Sequence, residues 1–253
     1  LTSIDYYTKA LHIFDSIGNE TIRTRTLNNL STLYSYLKDN VKAEEYAREC
    51  LKLSEKNKDE YLISTISTTL ASVLINQGKY DEVPILLNRA EEIAKSRNDN
   101  YLLDLVNLNY GAYHLFFKKD HHHAIQHYLL AIKYAEKIGN EYEKLRAMTN
   151  LSESYLMDKQ LKKAQETAQE SFVIVEKIGS DDIRQRLLTV LAKTEAADGE
   201  FEKAYKHLIS ASELKDSVFN ESNVQNINFL EAKYQTEKKE LRISALEKER
   251  KLY

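Results

Sequence analysis

Leu30-Ser31-Thr32-Leu33-Tyr34 returns as Leu151-Ser152-Glu153-Ser154-Tyr155, and each first serine is followed at one and the same distance by an alanine, Ala43 or Ala164. The same spacing runs between the two copies and beyond them. Its first slot holds Ser31, Ala71, Gly111, Ser152 and Ala192, so that it recurs at nearly constant intervals. A second slot follows at Ala43, Val83, Ala124, Ala164 and Ala204, and a third at Cys50, Ala90, Ala131, Ser171 and Ala211. One interval is irregular: the stretch from Gly111 to Ala124 is longer by a single residue than every equivalent stretch. Small residues at fixed spacing let helices approach closely, while large neighbours fill the grooves. Large residues precede every first slot (Leu30, Leu70, Tyr110, Leu151, Leu191), and polar turns such as Asn76-Gln77-Gly78-Lys79 separate first from second slots. Each repeat is therefore expected to be a helix, a tight turn and a second helix in an all-α fold.

Composition points the same way. Of 253 residues, 42% are apolar and 30% charged, enough for a sizeable core. Six Gly and one Pro fall far below the roughly 12% usual for the two together, which disfavours β-rich folds and flexible linkers. Even the nearest two Gly, Gly179 and Gly199, are too far apart for a glycine-rich phosphate cradle. The joints between repeats recur as Ile17-Gly18-Asn19-Glu20, Ile138-Gly139-Asn140-Glu141 and Ile178-Gly179-Ser180-Asp181. There Gly can end one helix and Asn or Ser cap the next. Pro84 is expected in the first turn of its helix, where a missing N–H is tolerated.

With 36 basic against 39 acidic residues, no basic face is implied, and nucleic acid is not expected as a partner of this segment. The single Cys50 cannot form an intrachain disulfide. The longest uncharged run, 61–78, is one-third Ser or Thr and does not read as a membrane span. The chain opens at Leu1 without a signal peptide and reads as a piece of a longer protein.

The Leu-small-x-x-Tyr runs and the alanines behind them resemble the tetratricopeptide repeat (TPR) family. The likeness covers 1–216, a leading half repeat plus five complete repeats, and the ladder, with the capping helix that follows it, predicts twelve helices wound into one superhelix. The interval of about 40 exceeds the family's usual 34, and no repeat has its Trp or terminal Pro, which points to the long-helix subclass of bacterial signalling proteins. Such arrays resemble one another as binding scaffolds whose first helices line a groove. The resemblance thus implies a non-catalytic module with a protein or peptide partner.

Candidate groove residues follow from the register. Two before the first slot stand Asn29, Asn109 and Asn150; six before it stand Arg25, Arg146 and Arg186. An Asn side chain both donates and accepts, so a stack of them can grip an extended peptide or, equally, brace neighbouring helices. Tyr36 and Phe116 are the candidate groove aromatics. The strip Ile75, Leu115, Phe116, Leu156 and Met157 suits an apolar anchor if it faces the groove, and is core if it faces the next repeat. The carboxylate clamp of chaperone-binding relatives would fall on Thr68, Ser72, Asn109, Arg146 and Asn150, where only Asn109 matches in type; chaperone-tail binding is not expected.

No Ser sits on a glycine-flanked elbow and no ATPase or kinase motif occurs, so the chain is not expected to be an enzyme. His123 and His127, four apart beside His121 and His122, can present two imidazoles from one helix face. A solvated turn carrying the extra residue is the preferred reading, and no metal or other cofactor is expected.

After Lys215 the repeat stops. Val218, Phe219, Val224, Ile227 and Leu230 suggest a helix that caps the array. The stretch 231–253 is about half Glu, Lys and Arg and lacks Gly and Pro, a strong helix composition. Its apolar seam is incomplete, so any coiled coil would be weak, with a homodimer possible through it. The wording Lys233-Tyr234-Gln235-Thr236-Glu237, with the charged run 247–251, resembles the sensor region of TPR-containing histidine kinases and transcriptional regulators of Bacteroidetes type. That resemblance implies a periplasmic sensor whose 217–253 helix leads to a membrane span and an output domain outside this chain. A cytoplasmic adaptor or peptide-responsive regulator is the alternative.

Overall fold

The computed structural model describes residues 20–36, 38–214 and 243. Ten α-helices follow one another among them: α1 (Glu20–Tyr36), α2 (Asn40–Lys56), α3 (Glu60–Asn76), α4 (Val83–Ser96), α5 (Asn100–Tyr113), α6 (His121–Lys137), α7 (Glu141–Met157), α8 (Leu161–Ile178), α9 (Asp181–Ala197) and α10 (Phe201–Glu213). No strand occurs among the described residues. The leading half repeat and the cap and charged helix expected over 217–253 lie outside them.

The ladder is the packing code. All fifteen slot residues are buried. Their closeness is visible in the first repeat, where Ser31 Oγ donates to the Ala43 carbonyl of the facing helix at 2.9 Å. In the second, Ser64 Oγ on α3 donates to the carbonyl of third-slot Ala90 on α4 at 3.0 Å. Third-slot Cys50 has its Sγ 3.2 Å from the Thr24 carbonyl, and burial pushes its thiol up to about 12. It packs as a small apolar residue and is not a reactive thiolate at neutral pH.

Two compact units divide the chain between Lys144 and Leu145. In the first, α1 packs on α2 and α3, α3 on α4 and α5, and α5 on α6. Its main core gathers Leu27 of α1, Ala47 and Cys50 of α2, Ile66, Leu70 and Leu74 of α3, and Leu87 of α4. The second unit has its own core, joining Leu145 of α7, Ala168 and Val175 of α8, and Leu187 and Leu191 of α9. There α9 also packs on α10 through Ala192, Ala204 and Leu208.

The turns are built alike. Residues 38, 78, 119, 159 and 199 sit within repeats and 58, 98, 139 and 179 between them, and all nine have a positive φ between 50° and 80°. Gly fills four of these positions, and Lys or Asn fills the other five. The left-handed residue lets the next N–H turn back onto the helix, as where Asp59 N reaches the Ser54 carbonyl at 3.0 Å and Gln160 N the Tyr155 carbonyl at 2.9 Å. Asp39, Asp59, Asp99 and Asp120 then cap the following helices with their carboxylates. Asn140 caps α7, accepting from Glu143 N at 3.2 Å, whereas Ser180 holds the cap position of α9 without a side-chain bond. Pro84 stands in the first turn of α4, where its missing N–H is harmless.

Ion pairs staple successive repeats about one helix pair apart in sequence, as with Arg48–Glu82, Lys79–Glu44 and Arg89–Glu55. Glu44 is a heavily engaged carboxylate, accepting from Lys79 Nζ at 2.7 Å, Arg48 Nε at 2.9 Å and Gln77 Nε2 at 3.0 Å. Partial burial would raise its pKa, but these donors outweigh it and hold the carboxyl at about 2 instead of 4.5. Because Glu44 titrates lower folded than unfolded, its contribution is whole above pH 4.5 and is lost as pH falls towards 2. Glu44→Gln should therefore melt below wild type at neutral pH, with the gap shrinking on acidification. A gap that stays constant across that range in thermal melts would remove Glu44 from the acid response.

Candidate functional site

The fourth and fifth repeats present their first helices, α7 and α9, on either side of an open groove of about 430 Å³. From α7 come Glu153, Leu156 and Met157; from α9 come Gln185, Arg186, Thr189, Val190 and Lys193. The α9 set recurs every three to four positions, so the helical period alone puts it on one face. Val190 is buried and Leu156 packs on the core, so the floor is apolar and rigid. Met157, at 50% exposure, offers an unbranched, adaptable side chain at the rim. A pocket of this size with an apolar floor and a few fixed polar groups suits the anchor side chain of a partner segment.

Arg186 organises the polar side. Its guanidinium donates through Nε to Glu153 Oε1 at 2.9 Å and through Nη2 to Glu153 Oε2 at 2.7 Å, a bidentate pair. Nη2 also donates to Asn150 Oδ1 at 2.6 Å. Three side chains from two helices are thereby fixed before any partner arrives, which lowers the ordering cost of binding. Gln185 and Thr189 add polar groups on the same face, and exposed Lys193 adds a positive charge.

Of the residues expected to line a groove, Asn150 and Arg186 are thus brought together, with Glu153 as a partner that the Asn and Arg registers did not single out. The signal for it was available: Glu153 and Arg186 are separated in sequence much as the other repeat-to-repeat ion pairs are. Arg146 lies half-buried on the same α7. Arg25 and Asn29 are exposed one turn apart on α1. Asn109 donates from Nδ2 to the Leu105 carbonyl of its own helix at 2.9 Å, so in this structure that amide nitrogen is engaged within α5. Tyr36 ends α1, and its side chain lies outside the described residues. The apolar strip divides: Ile75 and Leu115 are core, while Phe116 and Met157 are exposed.

A second cluster belongs to the third repeat, in the first unit. The extra residue after Gly111 is absorbed by a π-helical turn, His114–Lys118, that extends α5. It stacks four rings: Tyr110 on His127 (centroids 5.0 Å apart), His127 on His114 (5.4 Å) and His114 on His123 (5.3 Å). The expected pair separates, because His127 Nδ1 hydrogen-bonds Asn107 Oδ1 at 3.0 Å while His123 Nδ1 meets Asp120 Oδ2 at 2.6 Å. Burial pulls His127 down to about 4, and burial followed by the neighbouring His123 lowers His114. Asp120 is held low by its hydrogen bonds from the backbone and then the side chain of His123. Sequence reasoning missed His114, which the π turn brings onto the His123 ring.

Comparison with known proteins bears on the family. Residues 23–57 match a tetratricopeptide repeat model. Over 176 residues the chain is 26% identical to the transcriptional activator NprA of Geobacillus stearothermophilus, covering 69% of this chain and 43% of that protein. A Pyrococcus horikoshii signal-transduction ATPase with numerous domains and a tetratricopeptide repeat sensor is similar in structure, with TM-score 0.68, 17% identity and coverage of 90% of this chain and 33% of that one. The apo form of RapI is similar with TM-score 0.60 and 17% identity, over 92% of this chain and 88% of that chain. The chain thus spans less than half of the activator and a third of the ATPase. With one repeat matched directly and the same ladder carried through the described helices, this is a protein of tetratricopeptide-repeat fold.

Proposed function

We propose that the chain is a non-catalytic binding module of a bacterial signal-transduction protein, capturing a protein or peptide segment in the groove between α7 and α9. The observation that carries this is the preset Arg186–Glu153–Asn150 arrangement beside the apolar floor of Leu156 and Val190. A segment with one apolar anchor would seat it on that floor and satisfy its backbone against Gln185 and Thr189. Similarity to a transcriptional activator, and a shared fold with a protein whose repeats form a sensor, support a signalling context.

In this reading a captured partner alters the stacking of the last repeats, and residues 217–253 pass the change to an output domain. A periplasmic position ahead of a membrane span suits that arrangement. The alternative, a cytoplasmic peptide-responsive regulator, is favoured by the 26% identity to a transcriptional activator. No described helix is long and apolar enough to cross a membrane.

The test begins with a photo-crosslinking side chain at Met157 in the parent cell, which identifies the partner. Binding of that purified partner is then measured with Met157→Glu and Arg186→Ala, and with Val173→Glu, at an exposed position of α8, as a control. Removing a central anchor or arginine costs about 2 kcal/mol or more in a typical hot spot, so each groove variant should weaken binding at least tenfold. Val173→Glu should not. Equal binding by all four proteins would overturn the groove assignment.

A further inference from the structure

We infer that His114, Asp120 and His123 form a binding site for a divalent transition-metal ion of the zinc class. One ligand atom from each of the three lies within 4.8 Å of the others. Two imidazole nitrogens and a carboxylate oxygen are a donor set that zinc accepts, with a fourth position left for water or a partner's side chain.

The placement is a product of the extra residue. The π turn carries His114 at its start, Asp120 caps α6, and His123 lies in the first turn of that helix. Such single-turn π segments recur at functional sites, because they re-aim side chains that a regular helix would point elsewhere. Other repeats carry no such group: at the position of His114 stand Tyr34, Leu74, Tyr155 and Glu195, and at that of His123 stand Lys42, Glu82, Lys163 and Lys203.

Capping accounts for Asp120 alone. It accepts from His123 N at 3.1 Å, as Asp39, Asp59 and Asp99 accept in their helices with no histidine beside them. It does not account for His114, whose Nδ1 is buried and has no hydrogen-bond partner among the described residues. Lys118 is a nearby cation, and its ammonium rests over the Phe117 ring at 4.9 Å from the centroid. His127 is engaged with Asn107, and His122 with Gln126 at 2.9 Å, so neither is needed as a ligand.

Metal–ligand bonds of about 2.0–2.2 Å put tetrahedral ligand atoms roughly 3.5 Å apart. Closing the site therefore takes about an ångström of side-chain movement, within reach of small rotations of His114 and the exposed His123. The Asp120–His123 hydrogen bond would give way to the shared ion or remain behind it, orienting the imidazole.

The experiment uses the untagged chain stripped with a chelator. Zn2+ is titrated by calorimetry and Co2+ by its visible absorption, whose intensity reports tetrahedral ligation. Wild type should bind one ion per chain with a tetrahedral Co2+ spectrum. His114→Gln and His123→Gln should each weaken Zn2+ binding tenfold or more, and the His121→Ala/His122→Ala double variant should retain it. His123 is exposed, so its variant keeps the fold even where His114→Gln does not. Absence of one-to-one binding in wild type overturns the site, as does binding that survives His123→Gln and is lost in the double variant. That last result would assign the ion to the surface histidines.

Discussion

Gly111→Leu should destabilise the chain by about 1–3 kcal/mol or somewhat more, the usual cost of overpacking a core. A Cβ built on Gly111 would lie 2.5 Å from Cε1 and 2.7 Å from Cζ of Tyr128. The Tyr128 ring is 1% exposed, so it has no free space to enter, and the two helices must separate instead. Gly111 is the first slot of the third repeat and Tyr128 stands one helical turn past its second slot, so the clash tests the register directly. Truncating the ring should relieve it. In a double-mutant cycle, Tyr128→Ala should make Gly111→Ala nearly neutral, although each substitution alone lowers the melting temperature. A Gly111→Leu protein that melts like wild type would show that α5 and α6 do not cross at this residue.

The second large effect concerns a polar contact at a position where other repeats carry Tyr, Leu or His. Glu195 of α9 is 4% exposed, and its Oε2 meets Nδ1 of His207 on α10 at 2.7 Å. His207→Ala leaves a buried carboxylate without that donor, a loss that typically costs about 1–3 kcal/mol. Changing both, as Glu195→Leu with His207→Ala, should recover much of it, because two apolar groups leave nothing unsatisfied. If the single and double variants lose equal stability in denaturant titrations, the contact carries no coupling and the helices are held by Ala192, Ala204 and Leu208 alone.

These two sites mark how far the sequence could be read. The small slots were legible because helix contact demands little volume at fixed spacing, and Ser31, Ala71 and Gly111 show that as plainly in sequence as in space. The turns were half legible. Gly78, Gly139, Gly179 and Gly199 announce a left-handed residue, but Lys38, Lys58, Asn98, Lys119 and Lys159 adopt it too. Their identities say little, because a residue other than Gly enters that region only when the flanking helices hold it there.

The groove was legible as a face but not as a set of partners. Asn150 and Arg186 were found from register; that they bind each other and Glu153 depends on the offset between α7 and α9, which no single repeat contains. Asn109 shares the register of Asn150 yet bonds back to Leu105. The third-repeat cluster was hidden differently. Its one-residue insertion was visible between Gly111 and Ala124, but an insertion can form a loop or a π turn. Only the π turn stacks His114 against His123.

The central claim is that partner capture occurs between α7 and α9, and amide hydrogen exchange with and without the crosslinked partner tests it most directly. Bound partner should slow exchange in 150–157 and 185–193, which carry the groove-lining side chains, and more there than in α8 or α10. Slowing confined to α8 and α10, or none in either first helix, would contradict the account.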